Sequence, residues 1–347
     1  MDVAQFDFDL PRSSIAQRPA RPRDAARMLD VLPDHVLDLG VRDLPSRLQA
    51  GDLLVFNDTK VIPARIEGVR SAARGTAKVE VTLNRPLGDG RWSAFARPAK
   101  RLRAGDGVDF GSLRAEVVER GAGGEVTLAF AGSEASLFAA LEQTGSMPLP
   151  PYMSRDADAD DRSDYQTMFA RAPGAVAAPT AALHFTPRLM AALAECGVAH
   201  TFVTLHVGAG TFLPVTASDT AAHRMHPEWG EASELTVEAV TATRQRRGRV
   251  VAVGTTALRV LESAARNGGG IEAFRGETSL FITPGYRFGV ADLLLTNFHL
   301  PRSTLFMLVC AFAGTERMQR AYAHARDTGY RFYSYGDCCL LHRESAS

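Results

Sequence analysis

The chain has 347 residues, enough for about two domains, and 46% of them are hydrophobic, so a sizeable core can form. Lys+Arg and Asp+Glu balance at 39 each, which excludes attraction to a polyanion by overall charge and leaves only local basic patches for that role. The four cysteines (Cys196, Cys310, Cys338 and Cys339) form no Cys-x-x-Cys pair, which argues against a disulfide framework and fits reduced thiols in the cytoplasm.

The first residues, Met1 to Asp9, are acidic and lack the apolar stretch of a signal peptide. No later stretch approaches a membrane span, so no membrane partner is expected. Residues 9–27 hold three prolines and five arginines, which predicts an extended basic arm. Arg23 and Arg27 could contact phosphate or carboxylate; a solvated loop is the plainer alternative.

Leu53 to Phe56 is a buried strand by composition, and Asn57-Asp58-Thr59 gathers small polar side chains at its end, with Arg65 close by. That cluster reads as a turn or as part of a site. Between 64 and 130 the pattern becomes strict alternation, as in Val79, Val81, Leu83 and again in Val126, Leu128, Phe130. Glycine-rich turns separate these strands, which predicts an antiparallel barrel or sandwich. Arg97, Lys100, Arg101 and Arg103 form its basic edge, either solvated or facing RNA.

A short helix follows over 135–141, then an extended Met147–Tyr152 exit, then an acidic run, Asp156–Asp164, expected to be a solvated loop. From Tyr165 helices and strands alternate. Thr186-Pro187 caps a helix that Gly197 stops, and Phe202–Val207 is a strand. Further helices are predicted over 237–247, 257–266, 304–313 and 316–326. Strands are predicted over 250–253, 279–283 and 292–296, with 331–335 closing the sheet. The fold class is therefore α/β: a largely parallel sheet with helices on both faces, plus an inserted antiparallel β-barrel. The expected domains are 1–62 with 147–347, and 63–146 as the insert.

Polar side chains collect at the predicted strand ends. Thr180 leads to His184; Thr204 and His206 end a strand that bends at Gly208-Ala209-Gly210-Thr211. His226 and Glu228 share a loop. Thr255 and Thr256 follow Gly254, and Asn297 and His299 follow the strand at 292–296. A packed histidine in a glycine turn is the bland alternative for His206. His223 and His226, with His206 or His299, make only a weak zinc pattern, so no metal is expected. No G-x-G-x-x-G or Walker lysine loop supports NAD or ATP.

Several longer segments narrow the reading. Phe56–Arg65, Met147–Tyr152, Pro173–Thr180, Phe202–Phe212, Gly254–Thr256, Leu295–Pro301 and Tyr330–Asp337, in this order, resemble the S-adenosylmethionine:tRNA ribosyltransferase-isomerase family of queuosine biosynthesis. Three positions depart from the usual pattern: Ala182 for glycine, Lys60 for arginine, and Cys338-Cys339 for other apolar residues. The resemblance implies transfer and isomerisation of the ribosyl part of S-adenosylmethionine. The acceptor is a 7-aminomethyl-7-deazaguanine at the tRNA wobble position, the product is epoxyqueuosine-tRNA, and adenine and methionine are released. It also implies an α/β domain with an inserted barrel.

That chemistry suits the residue types. Hydrogens on C5′ beside a sulfonium are acidic and call for a base; departing adenine calls for an acid; the attacking amine must be neutral. The sulfonium is itself the activated group, so no separate cofactor is expected. The catalytic candidates are His206, as the base, with Glu228 and His299. Substrate contacts are expected from Asn57, Thr59, Arg65, Thr180, His184, Thr204, Gly208, Gly210, Thr211, His226, Thr255, Thr256, Asn297, Tyr335 and Asp337. RNA contacts are expected from Arg23, Arg27, Arg97, Lys100, Arg101 and Arg103. Two alternatives remain at this stage: an RNA-binding protein with a degenerate site, and a methyltransferase, the latter weakened by the missing glycine-rich βα turn.

Overall fold

The computed structural model describes residues 1–212, 215, 217–266 and 270–344, without the side chains of 211 and 212. Its largest feature is a nine-stranded sheet. Four central strands, Ala199–Leu205, Leu53–Asn57, Val250–Val253 and Leu293–Asn297, run parallel. The last three are buried at every position, as strands covered on both faces must be. Their continuous Val, Leu and Phe content supplies that burial. The margins are mixed. Glu228–Ala232 and Phe274–Thr278 add antiparallel beyond Ala199–Leu205. At the other side come Cys338–His342, Arg27–Val31 and Val36–Gly40.

Local chemistry places the helices. Thr186 accepts a hydrogen bond from Leu189 N at the start of Pro187–Glu195, and Ser303 accepts one from Phe306 N before Thr304–Ala313. Thr304–Ala313 is almost wholly apolar and lies in the main core beside Thr315–Asp327, with Phe306, Phe312 and Tyr322 fully buried. The helix Thr255–Ser263 also runs through this core.

The alternating segment forms a closed six-stranded barrel, with strands between Arg65 and Phe130. Val79, Val81, Leu83, Val117, Val126 and Leu128 point inward and fill it. Leu137 and Leu141 of the helix Glu134–Thr144 pack on the same core. Arg65 and Ser146 exchange backbone hydrogen bonds of 3.2 and 2.9 Å, so the chain enters and leaves the barrel side by side. The barrel meets the main domain through Arg85, which pairs with Glu277 at 2.6 Å, and again beside Gly208 in the turn after Ala199–Leu205. A Cβ at Gly208 would lie 2.6 Å from Asn84 Oδ1 of the barrel, so a side chain there would force the asparagine to shift.

Four departures from the sequence reading have physical causes. Residues 279–283 and 331–335 are not strands; Phe274–Thr278 and Cys338–His342 take those places in the sheet. Tyr333 sits at φ 72°, a left-handed conformation no strand residue adopts. The strands Arg27–Val31, Val36–Gly40 and Glu228–Ala232 were not anticipated. The basic arm and the acidic run are not solvated separately; they neutralise each other. Arg18 pairs with Asp158, Arg21 with Asp164 at 2.9 Å, and Arg23 with Asp164 at 3.3 Å. Asp161 is fully buried and takes both Arg155 Nη1 (2.6 Å) and Nη2 (2.7 Å), together with the Tyr335 hydroxyl at 2.9 Å.

This network should carry measurable stability. Asp161→Ala strands Arg155 and the Tyr335 hydroxyl, and is expected to lower the unfolding free energy by about 3 kcal/mol. Chemical denaturation with an unchanged midpoint would show the cluster to be energetically idle.

Candidate active site

A cavity of about 540 Å³ opens at the carboxyl ends of the central parallel strands. Ligands bind at this edge of α/β sheets, and the volume is that of a small-molecule site. Val207 lies just beyond the strand Ala199–Leu205; Gly254, Thr255 and Thr256 follow Val250–Val253; Thr296 and Asn297 end Leu293–Asn297, and Phe298 to Leu305 follow it. Tyr152, Tyr165, Thr180, Tyr333 and Ser334 complete the wall.

Buried polar atoms are normally satisfied. Among the described residues six buried side-chain polar atoms lack a hydrogen-bond partner, and four of them line this cavity: Thr256 Oγ1, Arg259 Nη2, Asn297 Oδ1 and the Tyr333 hydroxyl. The cavity therefore offers donors and an acceptor in a largely desolvated setting, where each is costly unless a ligand completes it.

Arg259 was not anticipated from the sequence. It projects from the helix Thr255–Ser263, is 5% exposed, and pairs through Nη1 with Glu228, while Nε donates to Leu280 O at 3.2 Å. Glu228 Oε1 also accepts from Gly208 N at 3.1 Å. Glu228 thus ties the glycine turn to the cavity helix. The signal in the sequence was a single arginine inside the apolar run Ala257–Leu261.

His299 lines the cavity, with Nε2 2.9 Å from Thr296 Oγ1 and its backbone N bonded to the Tyr322 hydroxyl at 3.0 Å. Burial pushes its pKa down to about 3, so the ring is neutral at ordinary pH. His206 stands one residue from the wall. It stacks on Trp229 with ring centroids 5.2 Å apart, and its Nδ1 lies 2.8 Å from Thr59 Oγ1. Burial lowers its pKa to about 4. Thr59 Oγ1 can itself donate to Ala172 O at 3.4 Å. It then accepts Nδ1–H and leaves Nε2 as the nitrogen with the lone pair.

A second cavity, of about 530 Å³, lies on the barrel side, lined by Arg65, Phe95, Arg97, Pro148–Pro151, Arg155 and Ala209. Val207 borders the first cavity and Ala209 the second, so the turn after His206 separates them.

The expected site residues divide accordingly. Thr180, Glu228, Thr255, Thr256, Asn297 and His299 converge on the first cavity. Arg65 faces the second and is paired with Glu80. Several of the other expected residues make their hydrogen bonds within the protein. The Asn57 amide bonds Leu205 N and O, each at 3.0 Å, and Thr204 bonds Asp58 at 2.7 Å. The Tyr335 hydroxyl is taken by Asp161, and Asp337 accepts from Arg27 N, Arg331 N and Arg331 Nη2 at 3.1, 2.8 and 3.0 Å. Gly210 packs on the His226 ring, where a Cβ would lie 2.8 Å away. His184 is buried, with a pKa lowered by desolvation to about 4 although Asp337 opposes the shift. The side chain of Thr211 lies outside the described residues. Among the RNA candidates, Arg23 and Arg27 are used internally, Arg27 lying 3.7 Å over the Tyr330 ring. Arg97, Lys100, Arg101 and Arg103 are all exposed.

The three departures are accommodated. Ala182 is fully buried in the turn Thr180–His184, Lys60 pairs with Glu142 at 3.2 Å, and both Cys338 and Cys339 are buried.

A family model described as "Queuosine biosynthesis protein" matches residues 3–341. The chain belongs to this queuosine biosynthesis family. Among its curated relatives, the S-adenosylmethionine:tRNA ribosyltransferase-isomerase of Methylocella silvestris is 60% identical, over 99% of this chain and 98% of that protein. The protein of the same name from Sphingopyxis alaskensis is 61% identical, over 98% and 97%. The crystal structure of S-adenosylmethionine tRNA ribosyltransferase from Thermotoga maritima aligns with a TM-score of 0.55 and 34% identity, over 97% of this chain and 99% of that one. Members of the queuosine family thus share this chain's sequence over nearly its full length.

The neutral histidines give the fold a pH signature. The folded pKa values of His184, His206 and His299 lie below the value near 6.5 of an exposed ring. The unfolded chain therefore binds more protons as pH falls below about 6.5, and stability is full above that pH and declines toward pH 4. Melting temperature should drop steadily between about pH 6.5 and 4.5, less steeply in His299→Asn. Coincident profiles for the two proteins would show that His299 is not held neutral.

Proposed function

We propose that this protein is an S-adenosylmethionine:tRNA ribosyltransferase-isomerase of queuosine biosynthesis. It moves and isomerises the ribosyl moiety of S-adenosylmethionine onto the aminomethyl group of a 7-deazaguanine at the tRNA wobble position. Epoxyqueuosine-tRNA forms, and adenine and methionine leave. The observation that carries this reading is the near-full-length identity to curated enzymes of that name. S-adenosylmethionine is a substrate here, so the reading requires no further cofactor or metal. The working compartment on this reading is the cytoplasm; among the described residues no helix is long and apolar enough to cross a membrane.

The two cavities suit two substrates. S-adenosylmethionine occupies the first, where Asn297 Oδ1 and the Tyr333 hydroxyl await polar groups. Neutral His299 adds no charge against a cationic sulfonium. The tRNA approaches along the barrel, past the surface residues Arg97, Lys100, Arg101 and Arg103, with the modified base presented beside the second cavity. On this division residues 1–62 with 147–347 are the catalytic unit and 63–146 the inserted unit. His206 stands between the substrates with Thr59 fixing its tautomer, and acts as the general base toward C5′. Glu228 positions Arg259 and the turn.

Two experiments test this. Incubation with S-adenosylmethionine and tRNA carrying the deazaguanine precursor should release adenine without methylating the RNA. Methylated RNA would favour a methyltransferase, and binding without turnover a degenerate RNA-binding protein. His206→Ala should lower turnover about 10²–10⁴-fold with tRNA affinity little changed. Near-normal turnover with a lower melting temperature would make His206 a packing residue.

The basic edge has its own signature. Replacing Arg97, Lys100, Arg101 and Arg103 together by alanine should weaken tRNA binding and reduce its salt dependence, by about one unit of slope for each phosphate no longer neutralised. An unchanged slope assigns these residues to a solvated edge.

A further inference from the structure

The start of the helix Thr255–Ser263 combines features that together point to one chemical group. Gly254 precedes the helix at φ 91° and supplies no capping side chain. Helix starts at Ser133, Thr186, Ser233 and Ser303 are each capped by their own hydroxyl, whereas Thr315–Asp327, like Thr255–Ser263, starts after a glycine; of these two glycine starts only that after Gly254 lines the cavity. The uncapped first turn faces the first cavity, since Gly254, Thr255 and Thr256 all line it. An uncapped first turn presents N–H groups and the positive end of the helix dipole.

That alone would not define a site. The second observation is that the same helix face carries two buried unpartnered polar atoms. Thr256 Oγ1 and Arg259 Nη2 sit three residues apart, one turn along, and both line the cavity without a hydrogen-bond partner. Arg259 is 5% exposed and cannot be satisfied by leaning into bulk solvent. A helix start, a hydroxyl and a guanidinium N–H converging on one space form an anion cradle.

Charge selects which anion. Glu228 already pairs with Arg259, so the cradle holds less than one net positive charge and suits a monoanion better than a phosphate dianion. Leu300, Pro301 and Leu305 give the same cavity apolar wall, which suits a small molecule with one charged end. Resting on the reading that S-adenosylmethionine occupies this cavity, we infer that Thr256, Arg259 and the first turn of Thr255–Ser263 bind the α-carboxylate of its methionyl group. That carboxylate is the substrate's one anionic group. Anchoring it here lays the sulfonium and ribose along the cavity toward Asn297 and His299, and places Arg259 and Thr256 as substrate-binding residues rather than catalytic ones.

The test compares two ligands by calorimetric binding: S-adenosylmethionine, and its decarboxylated analogue, which keeps the sulfonium and nucleoside and lacks the carboxylate. The native enzyme should bind the analogue at least about tenfold more weakly. Thr256→Val, which is nearly isosteric, should weaken S-adenosylmethionine about tenfold and leave the analogue unchanged, the scale of one hydrogen bond to a charged group. Arg259→Lys keeps a cation beside Glu228 and loses the fork; it should show the same selective loss, with circular dichroism confirming the fold. Equal affinity of the native enzyme for both ligands overturns the inference while leaving the transferase reading intact. Equal weakening of both ligands by Thr256→Val also overturns it. Failure of the native enzyme to bind either ligand overturns the transferase reading and this inference with it.

Discussion

The side chain of Asn57 is the constraint on which the site rests. The parallel ladder between Leu53–Asn57 and Ala199–Leu205 pairs Asn57 with Val203 at its last position. Beyond that point the Asn57 amide takes over as a substitute peptide, donating to Leu205 O and accepting from Leu205 N. It thereby holds the strand straight for two more residues before the bend. His206 N then bonds Trp229 O at 2.9 Å, and Val207 O accepts from Val176 N and Ala177 N. Removing the amide would leave three buried backbone groups, Leu205 N, Leu205 O and Thr59 N, without this partner. Every residue offered for catalysis or binding on this side depends on where that turn lies.

A second tier of polar contacts transmits the same geometry. Gly208 N reaches Glu228, Glu228 holds Arg259, and Arg259 belongs to the helix that borders the first cavity. Gly208 also lies against the barrel's Asn84. The glycine turn is therefore a joint shared by the sheet, the barrel and the cavity helix. Both of its glycines have close neighbours, Gly208 against Asn84 and Gly210 against His226.

How much of this was legible in the sequence depends on the range of the interaction that decides it. Thr304–Ala313 was readable because ten consecutive residues share one apolar environment. The barrel was readable because period-two alternation reports directly which face is inside. Glu228–Ala232 was not. Its inward positions are Glu228, Gly230 and Ala232, so the hydrophobic alternation is missing, the glutamate being turned inward by Arg259. The basic arm and the acidic run looked like two exposed segments because their pairing spans about 140 residues of chain, as in Arg21 with Asp164. The site divides in the same way. Threonines after Gly254 and the Asn297–His299 pair stand at strand ends and were found. Arg259 hides within a helix, and Asn57, Thr204 and Asp337 look like site residues although their polar atoms are spent on the scaffold.

The helix that starts after Gly254 has one further consequence. In most helices the cap is encoded in the chain, so the first turn is complete as soon as the protein folds. Here the chain provides no hydroxyl or carboxylate for that purpose, and the space where one would sit is open to the cavity. Whatever anion enters finishes the helix, and the free energy of finishing it belongs to the bound state alone. Part of the native stability is thus held outside the polypeptide. The free protein should fray first at 255–257, the first turn of this helix, and the occupied protein should resist opening there in proportion to how far the anion exceeds its dissociation constant.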